Sequence, residues 1–319
     1  MILAPASGSP SDAVLSSPQT PSPSSAGGGS FSWAVGVYAA PRAERTLFQT
    51  VSSPRAAGWE PTIQAEPGTV VPPASRAVFN PKRLGVVHNF RALASRLLLE
   101  NPDANFFLTV QDDALFHPDS RVFIESAPWP AANAAFVSLY CSRAHSFNPD
   151  KTTRIPGINE VTAPYVWGDL AMVWPRAVLE EYVGSKLLTG WRGTPGDLQN
   201  LARRRAHASA DMSPYLRELI RTGAPISLRN GRGLTNPHPR GSDVAAGMFA
   251  RQTGRTMWVV DPSPVRHIAV HSTIPGHGDN TGRRNCFRCA DHSLPLREQV
   301  FPACQAANSV HTATTEEGV

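Results

Sequence analysis

The sequence predicts an α/β domain with a mixed, mostly parallel central sheet flanked by helices. Three observations carry that expectation. Residues 106–110 (FFLTV) form an uncharged, β-prone run, as expected of a strand buried on both faces of a helix-covered sheet. Strand-like and helix-like patterns alternate from residue 31 to residue 113, which favours parallel pairing. Two adjacent carboxylates, Asp112 and Asp113, follow the uncharged run directly, which puts them at the carboxyl end of its strand. Open α/β sheets place their ligands there.

Residues 31–39 (FSWAVGVYA) read as the first strand, broken by Pro41 and Arg42. A helix is expected over 43–51, with Leu47, Phe48 and Val51 on one face and Pro54 limiting its length. Residues 61–65 (PTIQA) form a second strand that ends in the turn Glu66-Pro67-Gly68, with an acid at the strand tip. In the second helix Asn89 is a plausible N-cap, Phe90, Leu93, Leu97 and Leu98 share one face, and the helix stops before Asn101-Pro102. Beyond Asp113 the regularity thins. Residues 135–140 (AFVSLY) are a strand, 143–164 a polar loop, and 165–176 (YVWGDLAMVWPR) a strand leading into a short helix through Tyr182. Ser213-Pro214 opens a helix that closes on Gly223, Ser242 and Gly254 bracket another, and 256–260 (TMWVV) form the last strand.

The 319 residues divide unevenly. Met1–Ser30 is a Pro/Ser/Gly/Ala mixture without periodicity and is expected to be disordered; residues 301–319 form a polar, fraying tail. The first segment lacks a basic start followed by an apolar core, so it makes a poor secretory signal. No stretch approaches the roughly twenty apolar residues that span a bilayer, so a soluble, cytoplasmic protein without a transmembrane segment is expected. The formal charge is +5, with Arg preferred over Lys. Arginine suits bidentate phosphate recognition, although codon bias towards Ala, Gly, Pro and Arg is the favoured account of most of them. The four cysteines, Cys141, Cys286, Cys289 and Cys304, are too few for a disulfide scaffold.

The Asp112-Asp113 pair is the feature that carries chemistry. Two like charges about 4 Å apart repel by about 4 kcal/mol at an effective dielectric near 20, and by about 1 kcal/mol in water. A half-buried pair therefore calls for a divalent cation, and its hard oxygens suit Mg²⁺ or Mn²⁺. The plain alternative is a solvated strand-to-loop turn.

Several segments in order add to this. They are the apolar first strand, Glu66 at the second strand tip, residues 85–89 before a helix, NPDANFFLTVQDDALF, WGDLAMVWPRAVLEEY and DPSPVRHIAVHS. Over about residues 33–296 this succession resembles nucleotide-sugar-dependent glycosyltransferases of the GT-A fold, bacterial members first and the N-acetylglucosaminyltransferase IV type more distantly. The resemblance implies a GT-A domain over 31–300. It further implies transfer of a hexose from a nucleotide-diphosphate donor, a UDP-sugar in the first instance, to a hydroxyl of a glycan, lipid or protein. By the same resemblance Gln111-Asp112-Asp113 is the DxD-type motif, although the family's first position is often acidic. Asp113 and His267 would hold the Mn²⁺ or Mg²⁺ that bridges the diphosphate, and Asp112 would face the ribose or donor sugar. Pro41, Arg42, Glu66 and Asn89 would line the nucleotide pocket, and Arg283 and Arg284 would meet the departing diphosphate.

Such residues match the chemistry. Glycosyl transfer passes through an oxocarbenium-like state while negative charge grows on the leaving diphosphate. A divalent ion and arginines stabilise that charge. An inverting reaction also needs a carboxylate base for the acceptor hydroxyl. The resemblance gives that role to Asp243, with Asp169 in reserve beside the acceptor-side strand.

Plainer readings stand beside these. His267 also reads as a packed histidine, Asn89 as a helix cap, Arg283-Arg284 as a solvated pair, and Asp243 as an acid stabilised by a helix dipole. For the whole chain the alternatives are a catalytically inactive GT-A domain or a Cys/His metal-binding interaction protein. The second draws on Cys286, Cys289, His277, His292 and Cys304, but a single CxxC supplies only half of a structural zinc site. Arg203-Arg204-Arg205 lacks interleaved aromatics, so no nucleic-acid partner is expected.

Overall fold

The computed structural model describes residues 31–127, 129–142, 156–161, 168–189, 242–269 and 289–300. Strand β1 (Trp33–Ala39) pairs in parallel with β2 (Thr62–Ala65) on one side and β4 (Phe106–Gln111) on the other. Strand β3 (Ala77–Phe79) extends the parallel run beyond β2. Parallel neighbours need long crossovers, and α1 (Thr46–Ala56) and α2 (Val86–Glu100) supply them.

Both helices correct the sequence expectation. Pro54 lies inside α1 rather than beyond it. Its ring is buried with Leu47 and Val51, and that packing offsets the hydrogen bond the imide cannot donate. Helix α2 starts at Val86, with Gly85 at the N-cap position, so Asn89 is an internal residue and its amide already bonds Gly85 O at 2.9 Å. Its face of Phe90, Leu93 and Leu97 is buried as expected, each side chain contributing about 1.5–3 kcal/mol by leaving water. The helix lies close over β1 at Gly36, where a Cβ would stand 2.5 Å from Leu93 Cδ1.

The second half adds β5 (Ala114–Phe116), α3 (Ser120–Ser126), β6 (Ala134–Ser138), β7 (Gly157–Glu160) and β8 (Ala171–Pro175). Then come α4 (Arg176–Gly184), α5 (Lys186–Thr189), α6 (Ser242–Gln252), β9 (Thr256–Asp261), β10 (Val265–His267) and α7 (Leu296–Val300). Among the described residues eight strands form one sheet in the order β3-β2-β1-β4-β8-β6-β9-β7. Strands β7 and β8 run against the rest, which gives the expected mixed, mostly parallel sheet, flanked by helices. Strand β7 falls inside the stretch expected to be a polar loop, and β9 is not the last strand, because β10 follows and pairs antiparallel with β5. Strands of three or four residues are too short to print a periodicity unless a turn signal frames them, as Glu66-Pro67-Gly68 does for β2. The helix expected over 213–223 and the arginines at 203–205 lie outside the described residues.

Side chains alternating along the strands separate two apolar layers. Ala34, Tyr38, Phe107 and Trp174 pack under α2, α4 and α6, while Val35, Val37, Leu108 and Val173 pack against the opposite layer with Leu47 and Val51 of α1. Among the described residues no helix is long and apolar enough to cross a membrane.

Candidate active site at the carboxyl edge of the sheet

Two carboxylate centres lie at the tip of β4, on either side of Gln111. The first is the turn Asp112-Asp113 between β4 and β5. Asp112 Oδ2 accepts the Ala40 N–H at 2.9 Å, and its Oδ1 accepts Arg42 Nε at 2.8 Å and meets Arg42 Nη2 at 2.6 Å. The same Nη2 lies 2.8 Å from Asp113 Oδ2, so one guanidinium bridges both acids. His267 Nε2 approaches that Oδ2 at 3.0 Å. The β5–β10 ladder brings His267 here: it sits opposite Ala114, and Ile268 N–H donates to Asp113 O at 2.9 Å.

All four side chains are at most 12% exposed, so electrostatics act with little screening. Burial pushes the Asp112 carboxyl above its ordinary value, aided by Asp113 and opposed by Arg42. Burial opposes ionisation of Asp113 as well, but the His267 hydrogen bond and the Arg42 charge outweigh it and hold this carboxyl below the usual range. Asp113 Oδ1 and His267 Nδ1 are buried without a hydrogen-bond partner among the described residues. A carboxylate oxygen left over in this way, beside an imidazole nitrogen, suits a divalent cation that takes its remaining ligands from phosphate and water. No larger group of metal-ligating side chains is present among the described residues.

The second centre is built by register. Tyr38 and Gln111 are partners across β1 and β4, and Gln111 N–H donates to Leu170 O at 2.9 Å, which sets Asp169 beside both. Tyr38 Oη donates to Asp169 Oδ2 at 2.8 Å, and Gln111 Nε2 donates to Oδ1. Burial, and after it the charge of Asp243, raises Asp169 to about 7. Asp243, in the first turn of α6, accepts Gly168 N–H at 3.0 Å through Oδ2 and Val244 N–H at 2.8 Å through Oδ1. Gly168 has φ +84°, and a Cβ there would stand 2.9 Å from the Tyr140 ring, so this link between the acids requires glycine. Tyr182 Oη is buried and unpartnered among the described residues, and Tyr182 is raised by burial and then by both acids; the buried Ser242 hydroxyl stands beside Asp169 and opposes the rise of its carboxyl.

The remaining expected residues are placed as follows. Glu66 is 1% exposed; its Oε1 accepts Leu84 N–H at 3.0 Å and Gly85 N–H at 2.6 Å, and its Oε2 pairs with Arg83 Nε at 3.3 Å. It thus anchors the entry to α2. Asn89 is buried in a chain in which Gln64 donates to Asn80, Asn80 donates to Asn89 Oδ1, and Asn89 donates to Ala39 O. Both ends of its amide are engaged inside the protein. Pro41 is exposed next to Arg42. Arg283, Arg284, Cys286, His277 and Cys304 lie outside the described residues.

Sequence reasoning missed Tyr38, Tyr182 and Ser242. The signal for the Tyr38 and Gln111 roles was Gln111 itself, an amide where an acid is common. Here it is a donor to a buried carboxylate, and an ionised acid could not donate.

No protein-family model matches the chain, and no curated protein matches it. Among solved structures, it aligns with a glycosyltransferase involved in glycosylation of the major capsid of PBCV-1 at 8% identity and TM-score 0.29, over 59% of this chain and 74% of that one. A mannosyltransferase from Pyrobaculum calidifontis in complex with GDP-Man and Mn²⁺ aligns at 14% identity and TM-score 0.30, over 46% of each chain. An inositol-1-phosphate CTP transferase from T. maritima aligns at 13% identity and TM-score 0.33, over 73% of this chain and 86% of that one. These are distant likenesses, and the fold assignment rests on the sheet order given above.

Proposed function

We propose that the chain is a GT-A glycosyltransferase that moves a sugar from a nucleotide-diphosphate donor, a UDP-sugar in the first instance, to a hydroxyl of a glycan, lipid or protein. The observation that carries this reading is the buried Asp112-Asp113 pair at the carboxyl end of β4, bridged by Arg42 and backed by His267. Asp113 and His267 would hold Mn²⁺ or Mg²⁺. When bound, the ion supplies Lewis-acid neutralisation of charge on the departing diphosphate.

The chain's own residues divide the remaining work. Arg42 offers a planar, permanently charged fork to phosphate oxygens. Asp112, fixed by the Ala40 amide, faces the ribose or donor sugar. Asp243 takes the acceptor proton, and Asp169 adjusts its charge. Two nearby carboxylates do not both ionise easily, so a protonated Asp169 leaves Asp243 as the anion of the pair. Arg283 and Arg284 extend the diphosphate contact.

The test is titration calorimetry of UDP and GDP with and without Mn²⁺. Metal-dependent binding of one nucleotide is expected. Absence of binding under every condition sinks the reading.

A further inference from the structure

We infer that Arg42 is a built-in counter-ion that competes with the divalent cation for Asp113 and is handed to the donor diphosphate when both ligands bind. The inference rests on the reading above and adds a coupling between metal and nucleotide that runs through one side chain.

Asp113 Oδ2 already has two cationic or proton-bearing neighbours, Arg42 Nη2 at 2.8 Å and His267 Nε2 at 3.0 Å. Arg42 is simultaneously bound to Asp112 through Nε and Nη2 and is only 10% exposed in its side chain, so this is a desolvated bridge. Both acids strengthen its proton affinity against the opposing effect of burial. With Arg42 in place one of the two carboxylate charges is offset. A bare divalent ion arriving at the open Asp113 Oδ1 meets a carboxylate whose charge the guanidinium at Oδ2 already shares, so it gains less than it would from an unopposed acid pair.

A nucleoside diphosphate changes that balance, because it gives the guanidinium an equivalent fork-to-oxygen partner. Arg42 lies in the irregular segment between β1 and α1, so turning from carboxylate to phosphate disturbs no ladder. Metal and nucleotide therefore bind cooperatively, and linkage requires each to tighten the other by the same factor, typically about 5- to 150-fold.

The experiment measures Mn²⁺ binding by titration calorimetry and by loss of the free-Mn²⁺ electron paramagnetic resonance signal, in the full chain. Wild type is compared with Arg42→Gln and Arg42→Lys, each alone and with saturating UDP or GDP. Mn²⁺ alone is expected to bind Arg42→Gln about tenfold or more tighter than wild type, with Arg42→Lys between them. Nucleotide is expected to tighten Mn²⁺ in wild type but much less in Arg42→Gln. Because Arg42→Gln leaves two buried acids unopposed, the double variant Arg42→Gln/Asp112→Asn serves if the single one does not fold; it too is expected to bind Mn²⁺ alone more tightly than wild type. Nucleotide-dependent Mn²⁺ binding in wild type with unchanged or weaker Mn²⁺-only binding in the variants overturns this inference and leaves the transferase reading standing. No Mn²⁺ binding by wild type, with or without either nucleotide, overturns both.

Discussion

Asp113 and Asp169 flank the tip of the same strand and are 2% and 4% exposed, yet their surroundings drive them in opposite directions. Asp113 faces a guanidinium and an imidazole and is held ionised below the usual carboxylate range. Asp169 faces a phenol, a primary amide and another acid, and is raised to about 7. Equal burial thus gives two chemistries, a cation holder and a proton holder, and the partners decide which is which. Gln111 separates the two centres: its backbone ends the strand that carries Asp112 and Asp113, while its side chain belongs to Asp169.

The largest effect is expected on the proton side. Asp243→Asn should lower kcat by about 10²- to 10⁴-fold and leave metal-dependent nucleotide binding intact, as calorimetry and steady-state kinetics together would show. Equal loss of binding would erase the separation between the centres. Gln111→Glu comes next. It replaces a donor with an acid against buried Asp169, and destabilisation of about 3 kcal/mol or more is expected in urea unfolding at neutral pH, easing as pH falls and the acids protonate.

A smaller effect tests the proton holder by linkage. Asp169 has a folded value near 7 and an unfolded value of about 3.9, so between these the folded state keeps a proton that the unfolded state releases. Its contribution therefore declines as pH rises through that window, by up to about 1.4 kcal/mol per pH unit. In Asp169→Asn that decline is absent. Urea unfolding of the two proteins at pH 5 and pH 7.5 should show the variant gaining on wild type at the higher pH; a constant difference would mean that Asp169 is ionised throughout. The smallest effect is Gly168→Ala. Strain at its positive φ and the contact with Tyr140 should cost about 1–2 kcal/mol in thermal unfolding and perturb Asp169 and Asp243, with Mn²⁺ binding unchanged.

Much of the fold could be read from long elements. The uncharged run at 106–110 gave β4, and Phe90, Leu93 and Leu97 gave the buried face of α2. What escaped was short or relational. Strands β3, β5, β7 and β10 have three or four residues each and lack the framing turn that made the equally short β2 readable, yet β5 and β10 are what carry His267 to Asp113. Asn89 looked like a cap because it is a polar residue before an apolar face; Gly85 does that work by backbone conformation, which sequence polarity does not display. Asp112, Asp113 and Asp243 stood out as acids at element ends. Tyr38 did not, because a tyrosine in an apolar strand looks like core until the register sets it opposite Gln111.

The most direct measurement of the cation-holding role of Asp113 is titration of UDP and GDP into wild type and Asp113→Ala, each with and without Mn²⁺. Binding of one nucleotide that needs Mn²⁺ in wild type and loses that dependence, along with most of its affinity, in Asp113→Ala is the expected result. Binding that ignores both the metal and the substitution, or no binding by wild type, would contradict a cation-holding carboxylate at the tip of β4.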